Sequence, residues 1–387
     1  MSHISRSCPI CAIDDTKHCL DNPMAAVGGF DMSYTVVRCN CCGFHFAKRI
    51  ADSDTFSAYY QSVSKYDAPV ALPPVDLARI QATVRFLEGR VAKTAHIVDL
   101  GCGYGALLGG LQTAGWSKLQ GLDPAPNAAQ CALEIFGVRD IRRGTMFNAH
   151  EVLELLKIDL VCIMCVLEHL PNLKQDLTQL LSKLRPGCKV LVEVPAIECF
   201  SNPNGEPFGE FSLEHIQFFD MTSLSNLMRS LGAEPLALEL LDLPMVASGS
   251  MLGLFEWSGT APLHYTYSEP ETDSLAAYIA QSQEKMEIAL QQVPSGPLII
   301  YGAGSHTARL LQHLERKAGC DVISIVDSNP NLAEKKIGRW TVKVPSTIHE
   351  NPDIAVLISP FRSQNSIANQ LRQTSSNPLI LMYTNAY

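Results

Sequence analysis

The expected fold of this chain is set by the stretch IVDLGCGYGALLGGL (97–111). Its first residues are apolar and suit a buried strand, and the apolar spacing at its end predicts a helix. Between them, Gly101, Gly103 and Gly105 allow a sharp turn and a close approach of the backbone to a ligand. The free amide groups of the helix start can bind a polar group. The pattern predicts the strand, loop and helix that open a doubly wound α/β domain.

Two aspartates beside this loop narrow the class of ligand. Asp99 ends the first predicted strand, where a carboxylate favours an amino group and repels a pyrophosphate. Asp123 ends the next predicted strand, 18 residues after Gly105, where an acidic side chain can accept hydrogen bonds from both ribose hydroxyls. An NAD-type domain is the alternative interpretation, since glycine loops occur in many nucleotide-binding proteins.

The texture of the sequence divides the chain into regions with different expected structures. The expected regions are a Cys-rich module (1–60), a main α/β domain (61–265), a helical linker (266–294) and a smaller Rossmann-like domain (295–387). The linker predicts a helix over 273–292 with Asp273 or Ser274 as its N-cap. The predicted strands are 96–100, 118–122, 160–164, 189–194 and 298–301.

Composition and charge exclude several function classes. The chain has 387 residues, 47% of them apolar and 18% charged, and a formal net charge of −9. This balance argues against a nucleic-acid-binding surface, which needs clustered Lys and Arg. No run approaches the roughly 18–20 apolar residues that cross a membrane, and the N-terminus lacks the apolar segment of a secretory signal. Thirteen cysteines indicate a reducing compartment, so we expect a cytoplasmic protein.

Six of the thirteen cysteines lie within the first 42 residues and predict a metal site. The pairs Cys8/Cys11 and Cys39/Cys42 form two C-x₂-C motifs, whose four thiolates suit tetrahedral zinc. A site filled by four sulfurs has no open position, so we expect a structural zinc. Cys41 is an alternative ligand without the x₂ spacing, and the bystanders are expected to be His18, Cys19 and His45.

An ordered set of motifs resembles the class I S-adenosylmethionine (SAM) methyltransferases. The motifs VDLGCGYG, GLDP, DLVCIMCVLEHL and LRPGCKVLVEVP occur in the order of that family within residues 98–195. The resemblance implies an α/β fold with a Rossmann-like core and SAM as the cofactor. It also implies that Asp123 binds the ribose and that Cys165, with Val166 and Leu167, lines the donor side. The residues expected around the methionine part are Asp99, Gly101, Cys102 and Gly103.

A later segment contains the candidate for proton transfer. The segment ECFSNPNGEPFGEFSLEHIQFFD (198–220) is rich in turn-forming residues, and we expect it over the carboxyl edge of the sheet, where open α/β sheets bind ligands. Glu214 and His215 place a carboxylate next to an imidazole, which can move protons near neutral pH. The alternative is a structural histidine packed against Phe218 and Phe219.

The whole arrangement resembles the three-domain sugar C-methyltransferases of deoxysugar pathways. Further local matches are YYQSVSKYDAP (59–69), SGSML (248–252) and YGAGSHTARLL…IVDSNP (301–330). The resemblance implies that His215 is the base at a nucleotide-linked ketosugar, with Glu214 as its partner or a substrate ligand. Ser212 and Leu252 depart from the family, which has a tyrosine and a basic residue there. Related methyltransferases encoded with surface-polysaccharide genes share the Glu-His segment, so a hydroxyl is the alternative acceptor.

A second glycine loop opens the C-terminal region. Gly302 and Gly304 follow a predicted strand, and Asp327 ends the next strand, 23 residues after Gly304. This spacing is a dinucleotide fingerprint when taken alone. A second redox cofactor has no task in methyl transfer, so we expect a vestigial or substrate-holding lobe whose helix start can hold a nucleotide phosphate.

Together these features predict a SAM-dependent methyltransferase for a nucleotide-linked sugar, which acts by C-methylation through an enolate or by O-methylation of a hydroxyl. The alternatives are a methyltransferase for a non-sugar small molecule in a biosynthetic cluster and a non-catalytic, SAM-binding regulatory protein. The expected partner is a sugar or nucleotide-sugar substrate, without nucleic acid or membrane. The sequence leaves the oligomeric state open.

Overall fold

The computed structural model describes residues 3–63, 72–241, 249–270 and 273–383. These residues form an N-terminal module, a central α/β domain and a C-terminal α/β lobe, organised around separate sheets. Residues 64–69 of one matched motif and Ser248 of another lie outside the described residues.

The N-terminal module (residues 3–63) is built from short strands and one helix. Its elements are β1 (His3–Ser5), β2 (Thr16–Asn22), β3 (Tyr34–Cys39), β4 (His45–Ala47), β5 (Arg49–Ala51) and α1 (Ser53–Val63). Strands β2, β3 and β4 form an antiparallel sheet, and β1 pairs with β5. The chain between the two cysteine pairs therefore forms a β hairpin of β2 and β3.

The central domain contains a seven-stranded mixed sheet in the order β12-β13-β10-β9-β6-β7-β8. Strands β10, β9, β6, β7 and β8 run parallel, whereas β13 and β12 add an antiparallel edge. Strand β9 has the sequence LVCIM and is buried along most of its length, as expected for a parallel strand covered on both faces. The elements are α2 (Pro74–Leu87), β6 (His96–Leu100), α3 (Ala106–Thr113), β7 (Lys118–Asp123), α4 (Ala128–Phe136), β8 (Ile141–Arg143), α5 (Ala149–Val152), β9 (Leu160–Met164), α6 (Leu173–Leu181), β10 (Lys189–Pro195), β11 (Gln217–Phe218), α7 (Met221–Ser230), β12 (Ala233–Leu241) and β13 (Ser250–Trp257).

The C-terminal lobe has a six-stranded sheet in the order β16-β17-β15-β14-β18-β19, preceded by a long helix. Strands β17, β15, β14, β18 and β19 are parallel, which gives the lobe a Rossmann-like arrangement. The elements are α8 (Ser274–Gln291), β14 (Gly296–Tyr301), α9 (Ser305–Leu314), β15 (Cys320–Val326), β16 (Lys336–Ile337), β17 (Trp340–Lys343), β18 (Ala355–Ile358), α10 (Gln364–Thr374) and β19 (Leu379–Leu381).

The predicted elements of the two α/β regions are confirmed with small changes at their ends. Strands β6, β7, β9 and β10 coincide with the predicted strands to within one residue. The predicted linker helix is α8, and the Asp273 carboxylate caps it by accepting from the Ala276 amide at 3.3 Å. Strand β14 begins at Gly296, two residues earlier than predicted, because the Gly296 amide already donates to the Gly319 carbonyl at 2.6 Å.

The N-terminal module shares its core with the central domain. Phe44 and Phe46 belong to the same buried cluster as Leu170 and Leu173 of the central domain. One strand of the central domain, β11, pairs with β4 and thereby extends the sheet of the module. None of the described helices combines the length and apolar character needed to span a membrane.

Candidate functional site

The first glycine loop has the backbone that its sequence predicts. Gly101, Gly103 and Gly105 all have positive φ, at 81°, 53° and 77°, a conformation that side chains other than glycine rarely adopt. A Cβ atom built on Gly103 meets no atom within 4 Å. The loop therefore borders open space at this residue, beside the start of α3.

Asp99 lies at the end of β6 with an unpartnered oxygen. The residue is 2% exposed, and its Oδ1 atom is buried without a hydrogen-bond partner. Burial, together with the smaller effect of the nearby charges of Asp123 and Glu193, raises the pKa of this carboxyl to about 7. A buried acid of this kind is stabilised by a ligand that brings a positive amino group.

Asp123 organises the turn opposite the loop. Its Oδ2 atom accepts from the Gly103 amide and its Oδ1 atom from the Ala125 amide, each at 2.8 Å. A carboxylate has about four acceptor positions, so two remain for a ligand hydroxyl. Cys102, between the two glycines, is buried, and burial raises the pKa of its thiol.

These residues fit SAM. The Gly103 edge is open, the Asp99 oxygen has no partner, and the Asp123 carboxylate has acceptor positions left. Asp99 would face the amino group of the methionine part and Asp123 the ribose. SAM itself supplies a methyl group on a sulfonium, which is an electrophile.

A cavity of about 290 Å³ lies at the carboxyl edge of the central sheet. It is bounded by the ends of β9, β10 and β13, by residues 209–215 and by one residue of the C-terminal lobe. Its lining is Arg79, Cys165, Glu168, His169, Pro195, Gly209, Glu210, His215, Leu241, Gly249, Ser250 and Arg362. Carboxylates, imidazoles and guanidinium groups dominate this lining.

Cys165 joins a polar network in the wall of the cavity. The residue follows β9 and has a φ of 54°, which is unusual for a side chain other than glycine. Arg79 donates to its Sγ atom at 2.7 Å and to the Glu193 Oε1 atom at 2.7 Å. The Ser250 hydroxyl also donates to Glu193 Oε1 at 2.7 Å. The expected donor-side residue is thus held beside a buried ion pair.

Two histidines and a glutamate form a cluster in the same cavity. The rings of His169 and His215 are 4.9 Å apart between centroids, in an edge-to-face arrangement. The His169 Nδ1 atom donates to the Glu214 carbonyl at 3.2 Å, which directs its Nε2 atom towards Glu168 Oε1 at 3.9 Å. Burial raises the pKa of Glu168 to about 7. One nitrogen or oxygen from each residue lies within 4.8 Å of the others.

Glu214 and His215 have different neighbours. The Tyr59 hydroxyl donates to Glu214 Oε1 at 3.1 Å, whereas the His215 ring lines the cavity next to His169. The Ser212 hydroxyl accepts a hydrogen bond from the His215 backbone amide at 3.1 Å. The residue that stands in place of the family tyrosine therefore bonds the backbone of His215. Tyr59 therefore supplies a phenol to the predicted Glu-His pair from outside the pair's own segment.

The four predicted metal-ligand cysteines come together in the N-terminal module. The Sγ atoms of Cys8 and Cys42 are 3.6 Å apart and those of Cys11 and Cys39 are 3.5 Å apart. All four sulfurs lie within 4.8 Å of one another. Four thiolates on zinc would be separated by roughly 3.8 Å, given a Zn–S distance of about 2.3 Å. The cluster is compatible with zinc.

The alternative ligand Cys41 and the expected bystanders lie outside the group of four sulfurs. Cys41 is exposed, and Cys19 donates to the Lys17 carbonyl at 3.7 Å. His18 faces Asp21 at 3.3 Å, and His45 faces Asp273 at 3.3 Å. Among the residues described, the four-cysteine group contains none of them.

The second glycine loop repeats the turn of the first. The Asp327 Oδ2 atom accepts from the Ala303 amide and its Oδ1 atom from the Asn329 amide, each at 2.8 Å. His306, in the first turn of α9, is buried and has both ring nitrogens bonded, to Ser359 Oγ at 2.8 Å and to Tyr383 Oη at 2.7 Å. Both ring nitrogens of the histidine in this helix start are thus satisfied by protein groups.

The sequence interpretation missed several residues of the cavity. Glu168 and His169 were not among the predicted site residues, yet both line it, and their position three and four residues after Cys165 was an available signal. Ser250 lies in the matched motif SGSML (248–252) but was given no role, and nothing in the sequence pointed to Arg79 or Arg362, which come from a helix and a lobe far apart in the chain.

Comparisons with known proteins identify the central domain. Residues 76–238 match a family model described as a methyltransferase domain. A curated relative, the mitochondrial ubiquinone biosynthesis O-methyltransferase of Dictyostelium discoideum, is 28% identical over 151 residues, which are 36% of this chain and 41% of the relative. The chain thus spans about two-fifths of the length of the curated relative it matches.

Solved methyltransferase structures are similar to the chain at low identity. The 1,6-didemethyltoxoflavin-N1-methyltransferase of Burkholderia thailandensis, solved with S-adenosylhomocysteine, is 16% identical, with a TM-score of 0.42 over 56% of this chain and 96% of that chain. The magnesium protoporphyrin IX methyltransferase of Synechocystis PCC 6803 is 14% identical, with a TM-score of 0.39 over 53% of this chain and 100% of that chain.

Residues 76–238 are therefore a methyltransferase domain. The predicted α/β Rossmann-like core is confirmed, and the matched methyltransferase domain agrees with the predicted enzyme class, a SAM-dependent methyltransferase.

Proposed function

We propose that the chain methylates a nucleotide-linked sugar, with SAM as the methyl donor and His215 as the general base. The observation that carries this proposal is the common position of His215 and Cys165 in the wall of one cavity, at the carboxyl edge of the central sheet. A base in that wall can reach an acceptor held next to the donor side. Positioning the two reactants is then the main contribution of the protein.

The polar lining supports a sugar as the acceptor. Glu168, Glu210 and Ser250 offer acceptors and donors for hydroxyl groups, while Pro195 and Leu241 supply the aliphatic surface. A large apolar molecule would cover the cavity's polar groups without offering them hydrogen bonds, which costs binding energy. This argues against an apolar acceptor in the same cavity.

Arg362 supports the nucleotide-linked form of that sugar. This residue follows β18 in the C-terminal lobe, is exposed, and lines the cavity of the central domain. An arginine at the rim can pair with a phosphate through two parallel hydrogen bonds. We propose that the lobe holds the substrate in this way, and we expect Arg362→Met to raise KM for the acceptor about tenfold with little change in kcat.

The proton step assigns different tasks to the residues around His215. His215 removes a proton from the carbon next to a ketone, or from a hydroxyl, and becomes an imidazolium. Glu168 lies in the same cluster, so its carboxylate stabilises that positive charge when ionised. Glu214, bonded to Tyr59, fixes the backbone carbonyl that orients His169. These roles are part of the proposal.

A structural zinc in the four-cysteine cluster and a cytoplasmic location complete the proposal. Four sulfur ligands at these separations suit zinc with no open position. All thirteen cysteines are free, which agrees with a reducing compartment. We expect one zinc per chain by metal analysis of the purified protein. Cys8→Ser is expected to lower the thermal unfolding midpoint, whereas Cys41→Ser leaves both values unchanged. A zinc-free protein with wild-type stability would refute the site.

The acceptor class is tested by the release of S-adenosylhomocysteine from SAM in the presence of candidate acceptors. The panel contains UDP- and TDP-linked 4-keto-6-deoxyhexoses, the matching sugars without a ketone, and small non-sugar phenols. We expect turnover with a nucleotide-linked sugar only. Turnover with the phenols supports a non-sugar substrate, and binding of SAM without turnover on any acceptor supports a non-catalytic protein.

The position of methylation is tested by hydrogen exchange into the ketosugar. In D₂O without SAM, C-methylation through an enolate predicts loss of the proton signal next to the ketone, at a rate that depends on His215. Turnover without such exchange indicates that a hydroxyl is methylated.

A further inference from the structure

The segment that contains His215 lies between the three parts of the molecule. Residues 211–216, here called the catalytic segment, connect a turn-rich loop to β11. Residues 211–216 belong to no helix or strand. Their position must therefore be fixed by contacts from other parts of the fold.

The N-terminal module holds the end of this segment. Strand β11 pairs with β4, with Gln217 opposite Phe46, and the Ala47 amide donates to the Ile216 carbonyl at 2.9 Å. Arg6 adds a second donor, from Nη2 to the same Ile216 carbonyl at 2.8 Å. The carbonyl directly after His215 is thus bonded twice by the module.

Arg6 also fixes the other histidine of the cavity. Its Nη1 atom donates to the Pro171 carbonyl at 3.1 Å, two residues after His169, and its Nε atom donates to the Ala47 carbonyl at 2.7 Å. A guanidinium has five N–H donors in a rigid fork, so one side chain can hold three carbonyls at fixed angles. Lysine cannot reproduce this arrangement.

The C-terminal lobe holds the start of the segment. Arg309, on α9, is 3% exposed and donates through Nη2 to the Phe211 carbonyl. Its Nε atom donates to Asn22 Oδ1 at 3.2 Å, which ties the lobe to strand β2 of the module. The Tyr34 hydroxyl of β3 donates to the Ser212 carbonyl at 3.0 Å. A buried arginine bound to a backbone carbonyl is costly to desolvate, so its position is specific.

We propose that Arg6 and Arg309 are positioning residues, which hold the two ends of the catalytic segment and thereby place the His215 imidazole in the cavity. The N-terminal module and the C-terminal lobe then serve methyl transfer through this segment, without a contact to SAM. The inference rests on the proposed role of His215 as the base. It assigns to both arginines an effect on the chemical step that is separate from cofactor binding.

The test measures backbone hydrogen exchange in the full chain of Arg6→Met, Arg309→Met and the control Arg372→Met. Arg372 is an exposed arginine on α10 that donates to Asn369 Oδ1 at 2.9 Å, so its replacement removes the same charge without touching residues 211–217. We expect exchange of residues 211–217 to rise at least tenfold in the first two variants and to stay at the wild-type rate in the control. We expect the exchange of residues 97–105 to be unchanged in all three.

Cofactor affinity and turnover separate positioning from general loosening. The affinity for S-adenosylhomocysteine should stay within twofold of the wild type in both variants, and kcat with a UDP-linked 4-keto-6-deoxyhexose should fall at least tenfold at constant KM for SAM. Arg6→Lys should not restore kcat. Equal exchange in the variants and the control, or an equal rise in residues 97–105, overturns the inference.

A milder variant keeps the test decisive if an arginine variant does not fold. Tyr34→Phe removes only the hydroxyl that donates to Ser212, and we expect a smaller rise in exchange confined to residues 211–217. No rise in that variant overturns the inference. His215→Asn serves as the reference. If His215→Asn turns over at the wild-type rate, the proposed base is refuted. If His215→Asn loses turnover while Arg6→Lys and Arg309→Met keep it in full, only the positioning role is refuted.

Discussion

The two glycine loops of the chain have the same turn and different surroundings. In each, an aspartate at the end of the following strand accepts from a loop amide at 2.8 Å, Asp123 from Gly103 and Asp327 from Ala303. Each aspartate also accepts from the amide two residues later, at 2.8 Å. The same pair of aspartate–amide hydrogen bonds therefore occurs at both loops, although the backbone differs, with a φ of 53° at Gly103 and of −92° at Gly304.

The difference lies in the side chains that meet each loop. Beside the first loop, Asp99 has a buried oxygen without a partner, and the space at Gly103 is open. Beside the second, His306 is bonded on both nitrogens, to Ser359 and Tyr383. A glycine loop thus gives the shape of a nucleotide site, while the unsatisfied groups around it decide whether a ligand is needed there.

The largest expected difference between the loops is the effect on cofactor affinity when a glycine of each loop is replaced by valine. Gly103→Val places a branched side chain at a φ of 53° and into the open space, so we expect the affinity for S-adenosylhomocysteine to fall more than a hundredfold. Gly304 has a negative φ of −92° and also borders open space. Gly304→Val is expected to leave this affinity unchanged in calorimetry. Equal losses in both variants would contradict a single SAM site at the first loop.

The pH dependence of cofactor binding is the next effect in size. The ligand stabilises the ionised form of Asp99, whose pKa burial raises to about 7. Affinity should therefore rise with pH through this range, by about tenfold between pH 6 and pH 8, and level off above it. Calorimetry with S-adenosylhomocysteine at several pH values measures this change. Asp99→Asn should bind weakly with a flat profile, and an unchanged slope in that variant would exclude Asp99 as the titrating group.

The stability of the protein should respond in opposite directions at the two loops. Ser359→Ala removes a partner of His306 and is expected to cost about 1–3 kcal/mol in the free energy of unfolding. Asp99 binds its proton more tightly when folded, because its pKa rises from 3.8 to about 7. Its contribution to stability therefore falls as pH rises from 4 to 7, and Asp99→Asn should be at least as stable as the wild type at pH 8. Urea denaturation measures both changes, and a stability loss in Asp99→Asn would contradict the assignment.

The smallest expected effect is the response of the second loop to a dinucleotide. Because both His306 nitrogens are already bonded to protein groups, we expect no measurable heat when NAD is titrated into the protein. A nucleotide sugar in a parallel titration should bind through the cavity rim at Arg362. Tight NAD binding would show that the two loops are alike in function as well as in shape.

The sequence predicted the parts of the molecule that depend on neighbouring residues. Strands β6 and β9, the loop glycines and the Asp273 cap follow from local apolar spacing and turn chemistry. The four cysteines were also recognisable, because a metal site fixes its ligands at short spacings along the chain.

The contacts that shape the cavity could not be predicted in this way. Tyr59 bonds Glu214 across 155 residues, and Arg6 bonds Ile216 across 210 residues. No periodicity links such residues, since their proximity depends on how three sheets pack together. The pairing of β11 with β4 is of the same kind, and it explains why the neighbours of His215 came from outside its own segment.

The central claim is that His215 removes the proton that methyl transfer requires. The most direct measurement is the transfer of labelled methyl from SAM to a UDP-linked 4-keto-6-deoxyhexose by the wild type and by His215→Asn, with S-adenosylhomocysteine affinity measured in both. We predict label in the sugar nucleotide for the wild type, background label for His215→Asn, and the same affinity for the two proteins. Full transfer by His215→Asn, or no transfer by a wild type that binds S-adenosylhomocysteine, would contradict the account.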